Sequence, residues 1–391
     1  MSKRPIPSAL KSIGRLNGAS ARIPAVCARQ FGTTQPRGVR ATFSETENGE
    51  LNAILNTIQE KIILPSYLPT KQRKIVFDPK MKSYLEQNPV VIEIEGLEHK
   101  FSSIDRFKGV VNSKKILKEA LEKMQTREDW SNLGPLLAGY KKAGIKLHPN
   151  HWGKIVRVAG SAGHIYTVLE CAKQADETGL QLSGYETTVR VLSHVNDKIV
   201  TSEGSVPRAT QALKWSELVL DLLQRPQHAV SKQASSGKVH FSRVVRGLAL
   251  YTRAATIKAM QAADQDVEHQ LTLLRDEVEL LKSLWSNVNT SNLNEDEDFS
   301  RLNPVLERQS DTRVNKALNG SAYIQALAQN IKGLSLTREL LGSEAQELQK
   351  FEAAIAQHLQ QFVEGNKQRK AGWEKEYEQV TGSAPSWPAM A

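Results

Sequence analysis

Cysteine is nearly absent: Cys27 and Cys171 are the only two among 391 residues. A disulfide framework or a cysteine-built zinc site needs more of them. Long apolar runs are missing as well, and nothing approaches the roughly 18 consecutive apolar residues that cross a bilayer. Groupings that carry chemistry are equally scarce. Gly160-Ser161-Ala162-Gly163-His164 lacks the strand–loop–helix setting and the Lys-Ser/Thr ending of a phosphate loop, and Ser236-Gly237-Lys238 has no upstream Gly at the required spacing. His148 and His151 straddle Pro149 with no Cys or carboxylate beside them, while His164, His194, His240 and His269 are scattered along the chain. No nucleophile–base–orienter spacing and no paired-carboxylate arrangement is present. The sequence therefore assigns no catalytic residue, no cofactor and no metal ligand.

One further absence locates the charge. Residues 1–44 contain no acidic residue but eight basic ones: Lys3, Arg4, Lys11, Arg15, Arg22, Arg29, Arg37 and Arg40. The whole chain carries a formal +10, so residues 45–391 carry only +2. A basic, acid-free leader rich in Ser and Ala, amphipathic around Ala9–Leu16, has the composition of a mitochondrial presequence. Arg29-Gln30-Phe31-Gly32-Thr33-Thr34 fits a matrix-processing site, with Arg two residues before a cut that leaves Phe31 first. Cleavage there removes Cys27 and six basic residues, leaving +4 and one thiol, Cys171, which reads as a small packing residue. The alternative is a basic arm that stays in place and binds RNA or lipid.

The middle of the chain has a repeat. Residues 114–148 and 149–183 read as two helical hairpins of equal length, and each closes on the same pattern. The first ends Lys142-Ala143-Gly144-Ile145-Lys146-Leu147-His148 and the second Glu177-Thr178-Gly179-Leu180-Gln181-Leu182-Ser183. Gly after the last helical turn can take the left-handed conformation that ends a helix, and the apolar residue after it folds back onto the hairpin. In the second unit Trp152, Ile155, Val156 and Ala159 mark one face of a first helix, and Val168, Leu169, Ala172 and Ala175 the inner face of a second. A hairpin of this size buries its apolar face only by stacking on a neighbour.

On Trp152 in the first helix, Ala162-Gly163 in the turn and Gly179-Leu180-Gln181-Leu182-Ser183 at the exit, the second unit resembles a pentatricopeptide repeat. The resemblance covers about 70 of the 391 residues. It implies an all-α, right-handed helical-hairpin solenoid and a family role in binding single-stranded RNA in organelles. The positions that would read a base are Gly153 and Ser183 in the second unit, and Lys118 and His148 in the first. Gly153 has no side chain to reach a base edge, and Lys118 suits a phosphate better.

The rest of the chain falls into regions around this centre. Residues 1–44 form the presequence. Residues 45–112 are an irregular N-terminal region with a helix over 50–64, a proline-broken basic connector (Lys71, Arg73, Lys74) and a single β-branched strand at 90–95 that needs a partner. Residues 113–285 are the helical-repeat region. It includes an insertion at 196–206, a polar loop at 225–238 and a long helix over 264–288 striped by Val267, Leu271, Leu274, Val278, Leu281 and Trp285. Residues 286–312, with Glu295-Asp296-Glu297-Asp298, read as a flexible linker. Residues 313–380 form a C-terminal helical region containing the basic Lys367, Arg369 and Lys370. Residues 381–391 are a disordered tail.

The function expected from this is non-enzymatic. The chain would be a factor of gene expression in the mitochondrial matrix, binding mitochondrial RNA or the mitochondrial ribosome, or alternatively a scaffold for other mitochondrial proteins. RNA-facing candidates lie on the first-helix face: Lys118, Lys154, Arg157 and Arg190, and the series Arg243, Arg246 and Arg253 at helical spacing. The competing reading of those three arginines is that acidic neighbours take them up.

Overall fold

Capping residues decide where the helices begin. The computed structural model describes residues 43–94, 97–105, 109, 111–202, 204–229, 238–305, 318–366 and 372–387. Asn48 caps α1 (Gly49–Ile58) by accepting from the Leu51 amide, and Asn112 caps α2 (Ser113–Lys123) by accepting from Lys114 and Lys115. Between these helices lies the N-terminal region. Strand β1 (Val91–Ile94) pairs antiparallel with β2 (Leu97–Lys100), Val91 opposite Lys100 and Ile94 opposite Leu97. The lone strand expected at 90–95 thus finds its partner in the segment right after it. Short helices at Thr70–Val76 and Lys82–Gln87 join the hairpin around a small separate core of Leu64, Leu68, Val76, Leu85, Val90, Phe101 and Ile104.

The repeat region follows as paired helices: α3 (Leu133–Lys142), α4 (Pro149–Ser161), α5 (Ile165–Lys173), α6 (Tyr185–Val200), α7 (Val206–Leu222), α8 (Arg243–Ala262) and α9 (Glu268–Trp285). Gly144 and Gly179 adopt φ of +72° and +78°, so both expected left-handed closures are present. Helix α2 packs on α4, α4 on α6 and α6 on α8, while α3 packs on α5 and α5 on α7. Trp130 is the fully buried tryptophan here, at 0% exposure. Trp152 is only half-buried, lying against the edge of the core beside Gly179.

Three segments depart from expectation. Residues 196–206 are no insertion, since α6 runs unbroken to Val200 and Asn196 is buried within it. Within the supposed linker at 286–312, residues 293–303 fold against the core. There Asp296 caps α10 (Glu297–Leu302) and Arg243 binds the acids, so Leu293, Phe299 and Leu302 can be buried between them. The described part of the tail also packs, with the Trp387 ring against Tyr377 at 5.2 Å. Expectations for residues 1–42, 230–237, 306–317, Lys367, Arg369, Lys370 and 388–391 lie outside the described residues.

Helix α11 (Gly320–Leu341) then returns and packs heavily on α8 and on α6, and α12 (Leu348–Glu364) and α13 (Trp373–Thr381) lie against it. Its approach to α8 is close because two glycines face the crossing. A Cβ on Gly247 would collide with the Asn330 side chain, and one on Gly333 would come within 2.9 Å of Tyr251 backbone atoms. A buried polar layer fixes how the three helices meet. Asn196 donates to Leu248 O and Gln329 Oε1 (3.1 Å each), Thr252 donates to Asn196 Oδ1 (2.5 Å), and Asn330 donates to Val244 O (3.3 Å). The stripe on α9 is interior as well, with Trp285 stacked on Phe351 of α12 at 4.7 Å.

Candidate functional site

The basic residues singled out by their positions separate into two groups. Arg243, Arg246 and Arg253 share one helix, but all three point into the protein and are committed to partners there. The Arg243 guanidinium reaches Asp296 (3.1 Å), Asp298 (3.2 Å) and the Leu284 carbonyl (2.8 Å). Arg246 meets Glu277 (3.2 Å) and the His240 carbonyl (2.9 Å), and Arg253 meets Glu217 (3.1 Å) and Gln270. The expectation that they line an RNA-facing surface is corrected. Helix α8 is buried nearly all round, and each arginine neutralises carboxylates from α7, α9 or the 296–298 segment. Burial raises the Asp298 carboxyl above its ordinary range, against the lowering effect of Arg243 beside it.

The second group does come together. Lys154 of α4 (3.0 Å) and Lys118 of α2 (3.9 Å) both sit on Glu122, holding that surface carboxylate below its usual range. Arg157, one turn further along α4, is exposed and also acts on Glu122. It acts on Arg190 of α6 too. Through these interactions the four side chains form a row across α2, α4 and α6.

This row leads into a cleft of about 520 Å³ between α4, α6, the start of α11, and α13. Arg157, Gly160 and Ser161 line it from α4, and Arg190, His194, Asp197 and Lys198 from α6. Asn319 and Ser321 enter from α11, and Glu376 and Gln379 from α13. Gly160 permits the approach of α6, since a Cβ there would collide with the His194 ring.

Four cations, Arg157, Arg190, Lys198 and Arg208, line the cleft with two carboxylates, Asp197 and Glu376. At one end His194 Nδ1 lies 2.9 Å from Asp197 Oδ2, and Gln325 donates to Asp197 Oδ1 at 2.7 Å. Burial and then Asp197 push the nearby Glu376 carboxyl upward. At the other end Arg190 is 4% exposed, and burial followed by repulsion from Arg157 lowers its pKa to about 10. Among the described residues its one hydrogen-bond partner is Asn319 Oδ1 (3.1 Å), and its Nε is buried with no partner.

The expected first-helix face pointed to Arg157 and Arg190 but not to Asn319, which lay unmarked within the helical region expected over 313–380. The signal available was the side chain itself, because Asn is a favoured N-cap and Asn319 accepts from the Ala322 amide at 3.2 Å. Glu376 and Gln379 carry no local signal. They reach the cleft only because α13 packs back on α11.

Among the described residues no three His, Cys, Asp or Glu side chains converge as a metal site would require, and no helix is long and apolar enough to cross a membrane. Burial pushes the Cys171 thiol up to about 12, as expected of a packing residue. The fold and cleft define a mostly helical protein that presents helix faces and a charged cleft.

A family model described as Mrp13, mitochondrial ribosomal protein mS27, matches residues 29–380, and the chain belongs to that family. It is also similar to the small ribosomal subunit protein mS27 of Neurospora crassa, at 33% identity over 214 residues. That alignment spans about half of each protein, 54% of this chain and 54% of the relative.

Proposed function

We propose that this chain is a non-catalytic component of the small subunit of the mitochondrial ribosome and acts in the mitochondrial matrix. The observation that carries this reading is the match of a mitoribosomal family over residues 29–380, nearly the whole chain beyond the leader. The acid-free leader supports import by a presequence. The helix contacts support a solenoid reading: α2, α4, α6, α8 and α11 pack in succession, as the first helices of stacked hairpins of pentatricopeptide type would. On this reading Lys118, Lys154 and Arg157 mark the side turned toward ribosomal RNA, with the buried Arg190 beside Arg157. The second reading, a scaffold for other mitochondrial proteins without direct RNA contact, is favoured by the uptake of Arg243, Arg246 and Arg253 by internal carboxylates.

The test is gradient sedimentation of mitochondrial lysate from cells carrying a tagged full chain. It is expected to migrate with small-subunit ribosomal RNA and to be released as salt rises, because phosphate contacts weaken with ionic strength. Migration as free protein in low salt, with the small subunit intact in the same gradient, would overturn the proposal.

A further inference from the structure

Burying a guanidinium without a counter-charge is costly, and proteins rarely keep one unless an anion completes the site. Arg190 is such a group. It is all but excluded from solvent, and among the described residues its Nε has no partner and no carboxylate pairs with it. It does not stand alone. Arg157 lines the same end of the cleft without an ion pair of its own among the described residues, although repulsion between the two cations opposes that placement. The N-terminus of the 22-residue α11 opens there too, through Asn319, Ser321 and Ala322. The first amides of a helix lack intrahelical acceptors and carry a partial positive charge. Asn319 Oδ1 ties the two features together, accepting from both the Ala322 amide and Arg190 Nη2. The cleft's own carboxylates are occupied or set apart. Asp197 is held by His194 and Gln325, and Glu376 lies on the His194–Asp197 side.

We propose that this end of the cleft is a phosphate-binding site, in which Arg190 and Arg157 hold the anion against the first turn of α11. Two guanidinium groups and a helix N-terminus match a multiply charged anion with several acceptor oxygens better than a single carboxylate. The Nε edge of Arg190 supplies the buried donor and Arg157 closes the site from the solvent side. The phosphate is either one group of an RNA backbone or a free or small-molecule phosphate, and the chemistry of recognition is the same. This inference does not depend on ribosome membership, which sedimentation tests separately.

The experiment is a thermal melt and calorimetric titration of the purified full chain with sodium phosphate, against sodium chloride at matched ionic strength. Phosphate is expected to raise the Tm of the unaltered chain beyond the chloride control, and Arg190→Gln to abolish that rise. In phosphate-free buffer Arg190→Gln is expected to melt no lower than the unaltered chain, because it removes an uncompensated buried charge. A purely structural Arg190 would instead lower the melt and leave the phosphate response intact. Arg157→Gln, on an exposed helix surface, keeps the test valid should Arg190→Gln misfold, and is expected to weaken phosphate binding roughly tenfold. Equal responses to phosphate and chloride in the unaltered chain, or an undiminished phosphate response in both variants, would overturn the site. Displacement of phosphate by a short single-stranded oligoribonucleotide, with both variants binding it less well, identifies an RNA phosphate. Phosphate binding that the oligonucleotide does not disturb identifies the free or small-molecule form.

Discussion

Trp130 shows why residue type alone does not rank importance. Trp152 sits at the helical position that a repeat reserves for an aromatic, yet it is half-buried, whereas Trp130 is sealed between α3 and its neighbours. Trp130→Ala is expected to cost ~3–5 kcal/mol in urea unfolding, and Trp152→Ala clearly less, since less of its ring leaves water on folding. Two buried histidines give a pH dependence of known sign. Burial lowers His358 from its ordinary 6.5 to about 4, and burial followed by the adjacent Arg246 does the same for His240. The unfolded chain therefore binds more protons than the folded one between those values. The stability at stake is fully present above about 6.5 and is lost as pH falls toward about 4. The check is urea midpoints measured across that window. The double variant His240→Gln, His358→Gln is expected to show a flatter dependence than the unaltered chain.

At the scale of the element, glycine separates turns from crossings. Gly163 has φ of +78° and open space around a would-be Cβ. Gly163→Ala is therefore expected to cost only about 1–2 kcal/mol of backbone strain, while Gly163→Pro, whose ring forbids that φ, disrupts the α4–α5 turn. Circular dichroism melts distinguish the two. Gly333 has an ordinary φ, but Tyr251 leaves no room beside it, so Gly333→Leu is expected to push α11 off α8 and expose the polar layer around Asn196. The readout is faster amide exchange in α6, α8 and α11, with α2 to α5 unaffected. Both glycines looked alike as letters. Helix caps and closures are local and were legible in advance; a helix crossing depends on residues about 80 positions away.

Across the whole molecule, the C-terminal region is built into the repeat region and not appended to it. Arg243 ties the intervening 293–302 segment to α8 by binding both Asp296 and Asp298, the latter 5% exposed. Removing the arginine strands a buried carboxylate, so Arg243→Ala is expected to cost about 3–5 kcal/mol and to open the 293–302 segment to proteolysis. Asp298→Asn in the same background is expected to recover part of the loss. The acidic run read as a linker because composition reports average solvation, and only its two partners in space show that it is neutralised. The same limit applied to the candidate site. Spacing marked seven basic residues, and the fold turned three inward while bringing Arg157 and Arg190 to one cleft.

By itself the sequence determined the helical class, the left-handed closures at Gly144 and Gly179 and the apolar stripes of α4 and α9. Each of these is set by neighbours within a turn or two of helix. The tertiary structure alone decided which charges are paired, where α11 lies, and that the Arg190 guanidinium is buried with no carboxylate partner among the described residues. Charge compensation in a low-dielectric interior is settled between residues that only folding brings together.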